Sequence, residues 1–115
     1  MLKKENRLKK NKHFKYIYKN GETKVLNKLC LTYIKTKFKT YKVGFSVSKK
    51  IGKSVVRNKV KRRLRQSFIC LQNQVNKKYN YIFVAREGIE NMSFLEIKEN
   101  MKNLIKKCEL LNENI

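Results

Sequence analysis

From residue 23 to residue 86 the chain contains no acidic side chain. Sixty-four consecutive residues without a carboxylate cannot neutralise themselves. Any fold they adopt must keep its cations apart on the surface and meet an external polyanion there. Residues 1–86 hold 26 basic and 2 acidic side chains, whereas residues 87–115 hold 4 basic and 6 acidic. The net charge of +22 points to nucleic acid or an anionic membrane face and away from an enzyme of neutral metabolites. With 41% hydrophobic residues in 115, there is material for one modest core and one domain.

The longest strictly apolar runs, 68–71 and 82–85, are four residues each and neither spans a bilayer. The basic start is followed by Glu5-Asn6-Arg7 rather than an apolar stretch, so no secretory signal is read and a cytoplasmic location is expected. Cys30, Cys70 and Cys108 are distant from one another and accompanied only by His13, which makes neither a zinc nor a disulfide framework. Buried thiols are expected. Residues 1–10 read as a loosely held basic arm, and 11–115 as a single nucleic-acid-binding domain.

Asn11 is placed to cap a helix over 11–20 that Gly21 ends, with Phe14, Ile17 and Tyr18 on one face. Residues 28–38 and 42–48 alternate as two strands, expected to pair antiparallel. In the second, Val43, Phe45 and Val47 form an apolar face while Gly44, Ser46 and Ser48 form a small, smooth one. Ser54 is the expected cap of a helix over 55–76 whose core stripe is Val56, Val60, Leu64, Ser67, Phe68 and Leu71. Residues 79–85 read as a central strand. Ser93 and Glu96 form a capping box for a last helix with Ile97, Met101, Leu104, Ile105, Cys108 and Leu111 inward. The whole is a small α+β or α/β sandwich of helices on a sheet.

The segment KKIGKSVVRNKVKRRLR, residues 49–65, has nine basic residues in seventeen. At helical spacing Arg57, Lys61 and Arg65 stack one per turn, and Asn58, Lys59 and Arg62 continue the surface away from the core stripe. Arg offers phosphate a planar fork and Lys a point charge. Asn58 both donates and accepts, which suits a base edge or a 2′-hydroxyl. Gly52 permits close backbone approach where Lys49, Lys50 and Lys53 precede the helix. Gly52-Lys53-Ser54 resembles the end of a phosphate-binding loop, but Val47 stands where that motif needs glycine.

The stretch VSKKIGKSVVRNKVKRRLRQSF, residues 47–68, resembles the signature of the protein component of bacterial ribonuclease P. Its Arg-Asn-Arg motif is here Arg57-Asn58-Lys59, with Lys replacing the last fork. RLKKNKHFKYIYKNG (7–21) resembles the opening of the family, and YNYIFVAR (79–86) the strand after the long helix. Tyr18 stands where the family often has Phe. The resemblance implies a single-domain α+β sandwich with a mixed sheet in the order α-β-β-β-α-β-α. It also implies a left-handed β-α-β crossover, as in the domain-2-like fold of a small-subunit ribosomal protein.

The resemblance further implies a protein subunit that holds no catalytic side chain. The catalytic RNA subunit would dock on Lys49, Lys50, Lys53, Arg57, Asn58, Lys59, Lys61, Arg62 and Arg65. The 5′ leader of precursor tRNA would enter a cleft with Phe14, Tyr18 and Tyr33, although core packing competes for these aromatics. No cofactor is expected on the protein itself; Mg2+ would serve the RNA-containing holoenzyme. No membrane and no obligate protein partner are expected. A ribosomal protein or general RNA chaperone is the alternative reading, and a membrane-active basic amphipathic helix a weaker one.

Overall fold

The structure is a computed structural model that describes residues 2–112; Met1 of the expected arm and residues 113–115 of the expected domain lie outside the described residues. The chain runs α1 (Asn11–Asn20), β1 (Glu22–Leu26), β2 (Leu29–Lys35), β3 (Val43–Ser46), α2 (Ser54–Leu71), β4 (Tyr79–Ala85) and α3 (Phe94–Lys107). This is the implied α+β order. The sheet order is β1-β2-β4-β3, with β4 antiparallel to β2 and parallel to β3.

The expected antiparallel pairing of 28–38 with 42–48 does not form, because β4 lies between β2 and β3. Two local facts account for this. The connection between β2 and β3 contains neither Gly nor Asn and so lacks a tight hairpin turn. The Ile82-Phe83-Val84 run is apolar on both faces and belongs in the middle of a sheet. The hairpin forms one step earlier, between β1 and β2, where Asn27 adopts φ 54. Asn tolerates that left-handed conformation. No strand is read over β1 from sequence, since its outer-edge residues are mostly exposed and carry no buried alternation.

One face of the sheet presents Leu29, Leu31, Tyr33, Val43, Tyr81 and Phe83 to α2 and α3. Val60, Leu64, Phe68 and Leu71 of α2 and Ile97, Met101, Leu104 and Ile105 of α3 complete this core, as their spacing predicts. Burial of each such side chain stabilises by about 1.5–3 kcal/mol. The other face is smaller: Ile82 packs with Ile17 of α1 and Leu8, and Phe14, Ile34 and Val84 lie beside them. The sheet is thus covered fully on one side and only in part on the other.

The capping box at α3 is present, Ser93 N–H donating to Glu96 Oε1 at 2.9 Å and Glu96 N–H to Ser93 Oγ at 3.2 Å. The other two expected caps are not formed. Asn11 and Ser54 are already inside their helices, and extended Lys10 and Lys53 occupy the cap positions without side-chain bonds. α2 stops at Leu71 rather than near 76, because the chain turns to seat Val75, fully buried, beside Leu111. Of the thiols only Cys108 is buried; Cys30 is half-buried and Cys70 exposed on the solvent side of α2.

Residues 2–8 also depart from the loose arm expected for 1–10. Leu2 and Leu8 are buried, Asn6 Nδ2 donates to Tyr41 O at 2.8 Å, and Leu8 N–H donates to Val43 O at 3.0 Å. The two leucines supply apolar area that a purely basic arm would lack, and Leu8 extends the edge of β3.

Candidate nucleic-acid interface

β3 is one of the two edge strands, with Phe14 of α1 over one of its faces and α2 over the other. A cleft of about 320 Å³ follows this edge, lined by Asn11, Phe14 and Tyr18 of α1, Phe45, Ser46 and Val47, and Lys61 of α2. Phe14 packs close against the strand because Gly44 has no side chain: a Cβ there would sit 2.6 Å from Phe14 Cζ. Tyr18 is 44% exposed, its ring 6.4 Å from that of Phe14 and tilted by 40°. Two rings therefore border a groove whose far wall is cationic.

Beyond α1 the sheet face is open. Val25, Cys30, Val84 and Ser46 form one cross-strand row, Val25 exposed and the other three half-buried. Next to it the hydroxyls of Thr23 and Thr32 are 2.8 Å apart. These floor residues are missing from the site read in the sequence. The small face of Gly44 and Ser46 was the available signal, since a run of small side chains at a strand edge leaves room for something else.

The basic residues divide into three groups. Lys61 faces the cleft, and with Arg65 and with Arg7 and Lys9 of the docked arm it lines a second depression of about 190 Å³ beside β3. Asn58, Lys59 and Arg62 are exposed on the outer side of α2. Arg57 is half-buried and braces the preceding loop, donating from Nε to Gly52 O at 3.1 Å and from Nη2 to Ser54 Oγ at 3.2 Å. In that loop Ile51 is buried, which holds Lys49 and Lys50 outward, and Lys53 is exposed. Gly52 has φ 154, a conformation that side-chain-bearing residues rarely adopt. Arg63, not among the expected contacts, ties α2 to the loop before α3 through Met92 O at 2.9 Å.

Tyr33 does not belong to this cleft. It is 8% exposed on the opposite sheet face, against α3, and its hydroxyl donates to Glu22 Oε2 at 2.8 Å. Burial first, and that bond second, push its pKa well above the ordinary tyrosine value. The residue facing the α1 side is its neighbour Thr32. The error came from strand parity, where a one-residue shift exchanges the two faces.

A single-domain α+β protein whose aromatic cleft is walled by a basic helix is an RNA-binding protein by design of its surface. Comparison with known proteins names the family. A family model described as ribonuclease P matches residues 2–109. The ribonuclease P protein component of Caldanaerobacter subterraneus is 42% identical over 113 residues, covering 98% of this chain and 97% of its own. That of Clostridium botulinum strain 657 is 39% identical over 111 residues, covering 95% and 99%. The solved Staphylococcus aureus protein superposes with a TM-score of 0.85 at 30% identity over 93% of this chain and 98% of that one. For the Thermotoga maritima protein the TM-score is 0.80 at 25% identity, over 88% and 96%. The chain belongs to the ribonuclease P protein family and is thereby a subunit of the enzyme that matures tRNA 5′ ends. These matches do not favour the ribosomal-protein or chaperone reading. Among the described residues no helix is long and apolar enough to cross a membrane.

Proposed function

We propose that the α1–β3–α2 cleft receives the single-stranded 5′ leader of precursor tRNA, while the outer side of α2 and the loop before it dock on the catalytic RNA subunit. The observation that carries this reading is the meeting of Phe14, Tyr18 and Lys61 around one groove. Unstacked bases lie on the rings and a phosphate on the ammonium, and stacking contributes about 1–3 kcal/mol per base without demanding a sequence. Such tolerance suits an enzyme that handles many different leaders.

Lys49, Lys50, Lys53, Asn58, Lys59 and Arg62 meet the catalytic RNA, and Arg57 keeps their loop in shape. The protein screens repulsion between two RNAs and holds precursor more tightly than product. Chemistry and Mg2+ belong to the RNA. The polar lining of the cleft is Asn11, Ser46 and Lys61, which does not fit a divalent cation. The subunit works in the cytoplasm and needs no further protein partner.

The test is cleavage of precursor tRNA by the cognate RNA subunit at low magnesium, with and without the protein. Stimulation is expected, and it should weaken with salt by a logarithmic slope of about −0.7 to −0.9 per phosphate contacted. A rate that does not change on adding the protein would remove the subunit reading.

A further inference from the structure

The two flanks of α1 are both built to hold something. Opposite the cleft, across the helix, lies a pocket of about 290 Å³. Its floor is Leu8, Ile17 and Ile34, and its rim carries His13, Lys35, Lys37 and Lys42, with no acidic residue among those lining it. Two aromatic rings stand at its border, Tyr16 53% exposed and Phe38 76% exposed. Exposing two large rings to water is unfavourable. Here both line one apolar pocket whose rim carries cations.

The two flanks are one helix apart, about 10–12 Å. Lys9, Lys10 and Lys12, all exposed, mark the way around the N-terminal end of α1 from the cleft to the pocket. Lys9 also lines the depression beside β3, so the cationic path begins where the cleft ends. A second copy of the chain is a poor occupant, because it would bring another +22 to the same place.

We infer that this pocket is a second single-strand site, taking leader nucleotides farther upstream than those in the cleft and stacking a base on Tyr16 and Phe38. It rests on the reading that the cleft holds the leader. The consequence is a step in affinity with leader length: one increment when the leader fills the cleft, another when it is long enough to round α1.

The experiment uses the reconstituted holoenzyme with precursor tRNAs of graded leader length, and mature tRNA as reference. Combined Tyr16→Ala and Phe38→Ala should abolish the second increment, about tenfold in affinity, and leave short-leader precursor unchanged. Phe14→Ala should remove the first increment. If the double variant retains the second increment, or loses short-leader and mature tRNA equally, the pocket is not a leader site. If Phe14→Ala has no effect while the double variant does, the pocket stands and the cleft reading fails. Both substituted residues are exposed, so the fold should be kept; an unchanged thermal midpoint checks this.

Discussion

Gly44→Ala isolates the cleft from the rest of the interface. The added methyl would lie 2.6 and 2.8 Å from Phe14 Cζ and Cε1 and 3.1 Å from Leu8 Cδ2. The strand backbone is fixed by its ladder to β4, so the half-buried ring must retreat by close to an ångström to regain ordinary contact. A gap of about 0.5–1 Å forfeits a quarter to a half of a van der Waals well. Applied to about 1–3 kcal/mol for one stacked base, this removes about 0.25–1.5 kcal/mol, a loss of leader affinity of about 1.5- to 13-fold. Stability should fall by about 1 kcal/mol, the low end for overpacking, because the ring has solvent to move into. Phe14→Ala deletes the platform and should lose the full stacking contribution. The assay is equilibrium binding of precursor and mature tRNA to the holoenzyme. An equal loss for both RNAs, or an effect of Gly44→Ala as large as that of Phe14→Ala, would refute the idea that Phe14 is a platform positioned by the glycine.

Gly21→Ala should behave differently, because its Cβ would meet backbone carbonyls, Ile17 O and Tyr33 O, each at 2.7 Å. Neither can yield, and a destabilisation of about 2–3 kcal/mol, lowering Tm by about 10–20 °C in calorimetry, is expected. Lys61→Ala and Arg65→Ala should each reduce the salt slope of RNA binding by close to one phosphate contact, about 0.7–0.9, in a titration of affinity against salt. Tyr33→Phe should leave leader binding untouched and cost about 1 kcal/mol from the lost bond to Glu22, read by denaturant unfolding. It should also change the alkaline limb. Burial raises the pKa of Tyr33 and Tyr81 above the ordinary 10.0. The unfolded chain therefore releases these protons first, and stability is full below pH 10 and falls as pH rises beyond it. Removing the Tyr33 hydroxyl should make that fall shallower, with the Tyr81 part remaining.

The basic surface was legible because charge survives any fold: an acid-free run of this length leaves Lys61, Arg62 and Arg65 with nowhere to go but outside. Helix stripes and the central strand were legible for the same kind of reason, since Val60, Leu64 and Phe68 repeat at the helical period and Ile82-Phe83-Val84 is apolar on both faces. Pairing was not, because adjacency in sequence favours a hairpin and only the whole sheet shows that β4 gains more by sitting between β2 and β3. The caps at Asn11 and Ser54 failed by one residue, the usual slack of a helix end whose first N–H groups can stay in water. Tyr33 failed through strand parity, which depends on where the β1–β2 turn falls. The packing of Leu2 and Leu8 was masked by the lysines around them.

The crossover through α2 has a consequence for synthesis. β4 is the last strand made, yet both β2 and β3 bond to it. Until residue 85 has left the ribosome the sheet has no middle, and the most cationic part of the chain emerges with its apolar stripe unsheltered. Closure then requires contacts some fifty residues apart along the chain, between Leu29 and Ala85 at the extreme, which slows folding relative to a local hairpin. During that interval the nascent protein offers polyanions a charge without a shape.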